Sequence, residues 1–194
     1  MITKPKATDL SHIPNIVSAY TFIPVSGIVV DVAGGGNNGT IVGAVSTSEG
    51  LYFSSNSAYI TLGDIGNVKT IAFRIKPAST TEKIMEGAAA DLLVHISSGT
   101  LTYSEFDNAF INGVDSDAMF ADQWQNVVIV SSTDVDFSAC TLGLNDATYG
   151  EFEIADLRFF NYQFSAEEAQ EYHSSFQKLE KRGNFSDHPV GSTI

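Results

Sequence analysis

Apolar and polar residues alternate over short runs through most of this chain, and turn residues separate the runs. In Thr70–Lys76, Ile71, Phe73 and Ile75 face one way while Thr70, Ala72, Arg74 and Lys76 face the other. That is the period-two pattern of a strand with one face on a core. Val17–Ile23 alternates with apolar residues on both sides, and Ile28–Asp31 is a second apolar run. Further strands are expected at Thr40–Val45, Leu51–Ser54, Ala58–Leu62, Lys83–Glu86, Leu92–Ile96 and Thr100–Tyr103. Ala109–Asn112, Gln123–Ser131, Ala139–Leu144 and Glu151–Phe160 complete the set. The strongest turn signal is Ala33–Thr40, AGGGNNGT, whose glycines and asparagines supply positive φ values for a tight loop. Many short strands with turns between them predict an all-β fold, a two-sheet antiparallel sandwich or a barrel.

The period changes once. Ser165 and Glu168 form a Ser-x-x-Glu capping box, and Ala169, Tyr172 and Phe176 follow at helical spacing. One short C-terminal helix is therefore expected, its apolar stripe lying on the sandwich. The expected organisation is an N-terminal arm at 1–15, one sandwich domain at 16–178 and a C-terminal tail at 179–194.

Composition narrows the partners. With 194 residues the chain suits one sandwich that buries about 70% of its unfolded surface. Ten Lys and Arg against 23 Asp and Glu leave a net charge of −13. This argues against nucleic acid and against anionic membrane surfaces, both of which recruit cations. Neutral sugars, divalent cations and basic protein patches stay compatible. The single cysteine, Cys140, lies in an apolar run and is expected to be a buried small hydrophobe. No apolar h-region and no membrane-span signal stands in the sequence.

Six segments in order carry a resemblance. They are Ser18–Phe22, then Asp31–Thr40 with Ile41–Ala44 behind it, then Leu51–Phe53 with Ser57–Ile60. Thr70–Pro77, Asp122–Val127 and Gly150–Tyr172 complete the set. Together, over residues 17 to 176, they resemble the laminin-G-like, concanavalin A-like domains. The resemblance implies a two-sheet antiparallel jelly roll. Arg74 stands where that family often has Trp, and Gln125-Asn126 stand for its His-His pair, so an aromatic sugar platform is weakened there.

Several constellations could carry chemistry. Glu151-x-Glu153-x-x-Asp156 has the spacing of the carboxylates on one strand of laminarinase-type glycosidases, where two carboxyl groups about 5–5.5 Å apart do the work. On a regular strand Glu151 and Glu153 share a face and Asp156 points opposite, unless a bulge intervenes. Asp156 and Arg158 should point the same way. Asp31, Asn38 and Asp156 offer hard oxygens for a structural calcium ion, with loop capping as the alternative. No other cofactor is expected. His95 lies on a strand and reads as a satisfied structural histidine. Tyr52, Tyr59, Tyr103 and Tyr149 are the aromatic candidates for stacking on sugar rings, and Trp124 reads as a core anchor.

The resulting expectation is a protein without catalytic activity that is carried on a virion surface, serves decoration or adhesion, and contacts cell-surface glycans. Capsid or tail proteins would be its partners through the terminal arms, self-association being an open option. Its place would be the virion surface or otherwise outside a cell. The alternatives are a free-standing lectin-like module and, third, a glycoside hydrolase.

Overall fold

The computed structural model describes residues 15–22, 26–87, 92–145 and 148–183. Residues 1–14 of the expected arm and most of the expected tail lie outside them. Along the chain run β1 (Ile16–Tyr20), β2 (Ile28–Val29), β3 (Gly39–Val42), β4 (Val45–Ser46), β5 (Leu51–Phe53) and β6 (Tyr59–Leu62). Next come β7 (Asn67–Pro77), β8 (Glu82–Glu86), β9 (Leu92–Ser97), β10 (Thr100–Tyr103), β11 (Asn108–Ile111) and β12 (Val114–Asp115). The last elements are β13 (Gln125–Asp136), β14 (Cys140–Leu142), β15 (Leu144–Asn145), β16 (Thr148–Tyr149), β17 (Phe152–Phe160) and the helix α1 (Ala166–Gly183).

Two antiparallel sheets form the molecule. The larger has the order β12-β11-β13-β7-β17-β5-β4, with β1 also on β17, and the smaller runs β10-β9-β8-β14-β6-β3-β2. Between them lies one core that includes Phe53, Phe73, Phe137, Phe152, Phe159 and Tyr20. Phe53 and Phe152 stack at 4.6 Å between ring centroids. This is the all-β, two-sheet sandwich with a short C-terminal helix expected from the strand pattern. Cys140 is fully inside, and burial pushes its thiol well up, as an inert small hydrophobe requires.

Helix α1 covers part of the larger sheet's outer face. Its first turn is capped as read: Glu168 accepts from the Ser165 amide at 2.7 Å, and Ser165 Oγ accepts from the Glu168 amide at 3.2 Å. Ala169 and Tyr172 then pack on Ala72, Val128, Val130, Phe110, Phe160 and Phe164, a second apolar cluster outside the main core. Of the expected stripe, the Phe176 side chain lies outside what is described. The helix continues to Gly183, past the boundary expected at 178. Its last turns are Glu- and Lys-rich, which suits a helix as well as a tail.

Several boundaries differ from the pattern, two of them for clear physical reasons. The run Thr40–Val45 splits at Gly43, whose φ of 71° turns the chain from the smaller sheet to the larger. Strand β13 extends to Asp136 through an irregularity between Val130 and Val135, and its polar second half hid it from a hydrophobic reading.

Candidate functional site

The outer face of the larger sheet is best read rung by rung, because cross-strand partners share a face. The first rung is Tyr52, Glu153 and Lys76, on β5, β17 and β7. The second is Asp156, Arg74 and Asn126, on β17, β7 and β13. The third is Arg158, Ala72 and Val128, and the fourth is Phe160, Thr70 and Val130. Polarity falls along this ladder, and the helix covers the apolar end.

A bulge makes the first two rungs continuous. Between Ile154 and Asp156 the register of β17 against β7 slips, so Glu153 and Asp156 both face outward. A regular strand would have turned Asp156 into the core. Gly50 accommodates the bulge: a β-carbon there would meet the Ile154 carbonyl oxygen at 2.1 Å, so only glycine fits.

Around the first rung sits a cluster of acids, hydroxyls and one indole. Tyr52 donates its hydroxyl to Glu151 Oε1, and Thr47 donates to Glu153 Oε1. The hydrogen bond to Glu151, together with burial, raises the Tyr52 hydroxyl pKa above its ordinary value. Thr47 Oγ1 also accepts from the amides of Glu49 and Gly50, at 3.1 and 2.9 Å, which fixes the turn carrying Glu49. Glu49 in turn accepts from Trp124 Nε1 at 2.9 Å. The Arg74 guanidinium lies 4.6 Å from the centroid of the Trp124 ring.

Trp124 is therefore not the core anchor its sequence suggested. It is partly exposed on the outer face, because the strand it precedes starts one residue later and Gln125 takes the buried place. Gln125 spends its amide on the Phe120 N–H and the Ala118 carbonyl. No pattern of apolar residues could separate these two roles for one tryptophan.

Asp156 and Arg158 do share a face. Arg158 Nη2 lies 2.8 Å from Asp156 Oδ2 and Nε 3.2 Å from Oδ1, and the guanidinium sits over the Tyr172 ring at 5.3 Å. Burial pushes the Asp156 carboxyl up against the pull of Arg158.

The tyrosine candidates fall in different places. Tyr52 belongs to the cluster just described. Tyr59 faces outward on the smaller sheet opposite Val42, and Tyr149 sits on the two-stranded ribbon of β15 and β16. Tyr103 packs against the main core. It lies opposite Val94 on the inward side of β10 and stays partly exposed. The expectation for His95 is not met among the described residues, where its buried Nδ1 has no hydrogen-bond partner.

Asp31 caps the glycine loop. Its Oδ1 accepts from the amides of Ala19 and Ala33, both at 3.0 Å. Its Oδ2 accepts from Ser18 Oγ at 3.2 Å and the Asn37 amide at 3.3 Å. Asn38 Oδ1 accepts from the Asp31 amide at 2.9 Å. Donors thus surround both oxygens of Asp31, and Asp156 takes its partner from Arg158 rather than from this loop. Among the described residues no group of three or more His, Cys, Asp or Glu comes together as metal ligands do.

Comparison with known proteins places the fold. No protein-family model matches this sequence, and no curated protein matches it either. Among solved structures, Trypanosoma rangeli sialidase in complex with sialic acid is similar over 85% of this chain, with a TM-score of 0.64 at 10% identity. A mutant of the same sialidase displaying trans-sialidase activity gives 0.63 at 9% identity. The HCR/D W1238A mutant gives 0.58 at 12% identity over 84% of the chain. The chain spans 33% of the sialidase and 51% of the HCR/D chain. At these identities the likeness carries the fold alone, a two-sheet antiparallel β-sandwich.

One expectation is corrected here. The expectation of a protein without catalytic activity does not hold on fold grounds, because this sandwich recurs within proteins named as sialidases. The fold is no argument against an enzyme.

Proposed function

We propose that this sandwich is a carbohydrate-contacting module whose contact surface is the open end of the larger sheet's outer face. The observation that carries the reading is Trp124, partly exposed and pinned by Glu49 and Arg74 beside Tyr52, Glu151 and Glu153. A sugar presents an apolar C–H face, which stacks on an aromatic ring, and hydroxyls, which donate to carboxylates. Both kinds of group stand together here on rigid strands, as recognition requires. The carboxylates favour a neutral glycan over an acidic one. A sandwich of the same fold within a sialidase in complex with sialic acid supports a glycan as the class of ligand. A narrower form of the reading, resting on the laminin-G-like resemblance, is adhesion from a virion surface, with residues 1–15 and 179–194 docking on capsid or tail proteins.

Trp124 is the only tryptophan in the chain, so its emission reports this surface alone. Titration with neutral oligosaccharides should change that emission saturably, and calorimetry should show binding lost in Trp124→Ala and weakened in Tyr52→Phe. Glycans that bind without moving the Trp124 signal would falsify the placement. Following released sugar in the same mixtures decides whether a bound glycan is also cut.

A further inference from the structure

A second aromatic is built into the segment that leads to Trp124. Residues 117–119 lie along the edge of β10: Ala118 bridges Thr100, the Leu101 amide donates to the Asp117 carbonyl at 2.7 Å, and the Met119 amide donates to the Gly99 carbonyl at 2.8 Å. Gln125 then begins β13 in the larger sheet. Residues 120–124 therefore cross from one sheet to the other, with Phe120 where the crossing starts and Trp124 where it ends. Asp122, at a φ of 57°, makes the turn between them, and its amide donates to the Pro77 carbonyl at 2.8 Å.

Gln125 holds this crossing closed. Its side chain is buried, its Oε1 accepts from the Phe120 amide at 2.8 Å, and its Nε2 donates to the Ala118 carbonyl at 3.3 Å. Four residues fully extended would let the Phe120 and Trp124 backbones stand roughly 14 Å apart. The hydrogen bond from Phe120 to the residue beside Trp124 draws them closer. Met119 is buried and seats the loop on the core. Phe120 is 56% exposed, the one aromatic among the exposed large hydrophobics of the described residues. A lone exposed apolar residue on a slack loop needs no explanation. Here a buried amide and three backbone hydrogen bonds fix the loop that presents it.

We propose that Phe120 is a second platform for a sugar ring, and that the ligand is a neutral oligosaccharide of several linked rings running from Trp124 around the end of the sandwich to Phe120. The inference rests on the glycan reading of the Trp124 surface and gives that ligand a length. Asp122 and Gln123, between the two aromatics, are exposed. They offer a carboxylate and an amide to the hydroxyls of a chain that spans the rings. A protein partner needs a contiguous face of about 800 Å². One ring among exposed Asp117, Asp122 and Gln123 is not such a face, but it matches the C–H side of a single sugar.

Calorimetry with linear gluco-, galacto- and manno-oligosaccharides, from monosaccharide to hexasaccharide, tests this, with Trp124 emission as a second readout. Wild-type affinity should rise with chain length. Phe120→Ala should flatten that rise, weakening the hexasaccharide by roughly tenfold and the disaccharide by less than about twofold. Phe120→Tyr keeps a ring and should retain the rise, whereas Phe120→Leu keeps bulk without a ring and should lose it. Circular dichroism confirms the fold of each, and should Phe120→Ala fail to fold, Phe120→Leu carries the test. Wild-type affinity independent of length overturns the inference, and so does a Phe120→Ala or Phe120→Leu protein that matches wild type at every length. In those cases binding that is still lost in Trp124→Ala leaves the glycan reading standing. A wild type that binds none of these sugars overturns both.

Discussion

Two halves of one sheet face, built by the same strands, do different work here. Under α1 the third and fourth rungs carry Ala72, Val128, Val130 and Phe160, and these close into a cluster with Phe110, Phe164 and Ala169. Two residues further along each strand, the positions are Arg74, Asn126 and Asp156, then Lys76, Glu153 and Tyr52. A strand turns alternate side chains to each face, so it can present an apolar and a polar half along one face only if something covers the first. The helix supplies the cover. It leaves the other half free to be chosen for contacts with solvent or ligand. The boundary is marked by Arg158, which reaches from Asp156 to the Tyr172 ring on the helix.

The sharpest way to break this division is Phe160→Ala. Its side chain is buried between Phe164, Tyr162 and Tyr172, with ring centroids at 4.7, 6.1 and 6.4 Å. Removing it should cost about 4 kcal/mol in denaturant unfolding, from lost burial plus the cavity left behind. A loss below about 1 kcal/mol would mean that the helix adds little to the fold. Next in size is the boundary pair. Asp156→Ala leaves the Arg158 guanidinium largely buried, with its side chain 16% exposed, and without its carboxylate. The expected cost is about 3 kcal/mol. The double variant Asp156→Leu with Arg158→Met should recover most of it, because two apolar groups need no partner. If the double variant is as unstable as the single one, the pair does more than neutralise itself.

How far these features were legible depends on the physics behind each. Thr70–Lys76 declared its strand because one face needed Ile71, Phe73 and Ile75, and Ser165 with Glu168 declared the helix start because its amides need acceptors. Those are local requirements, and residue type records them. The bulge at Ile154–Asp156 is different. It depends on Gly50, more than a hundred positions away, leaving room for it, and spacing alone leaves the face of Asp156 open between a regular strand and a bulged one. Trp124 misled for a similar reason. Its surroundings, Glu49 and Arg74, arrive from β7 and from the turn before β5, and nothing beside it in the chain signals an outward-facing ring. Asp31 was readable as an oxygen donor, but only the loop's folded amides reveal that donors already surround it.

The smallest expected effect is the most telling about the open half. Glu153 accepts from Thr47 and stands opposite Lys76, so a count of contacts suggests that Glu153→Gln should destabilise. The amide still accepts from Thr47, however, through its carbonyl oxygen. The lost attraction to a partly exposed Lys76 is worth about 0.5 kcal/mol in high dielectric. Against it, one negative charge fewer in a chain of −13 relieves self-repulsion by a comparable amount. The net change in unfolding free energy should lie within about 0.5 kcal/mol of zero. The same variant should weaken glycan binding by roughly tenfold, since a neutral amide is a poorer acceptor for sugar hydroxyls than a carboxylate. A Glu153→Gln protein that melts early and binds normally would reverse the assignment, making this rung part of the scaffold and leaving recognition to another surface.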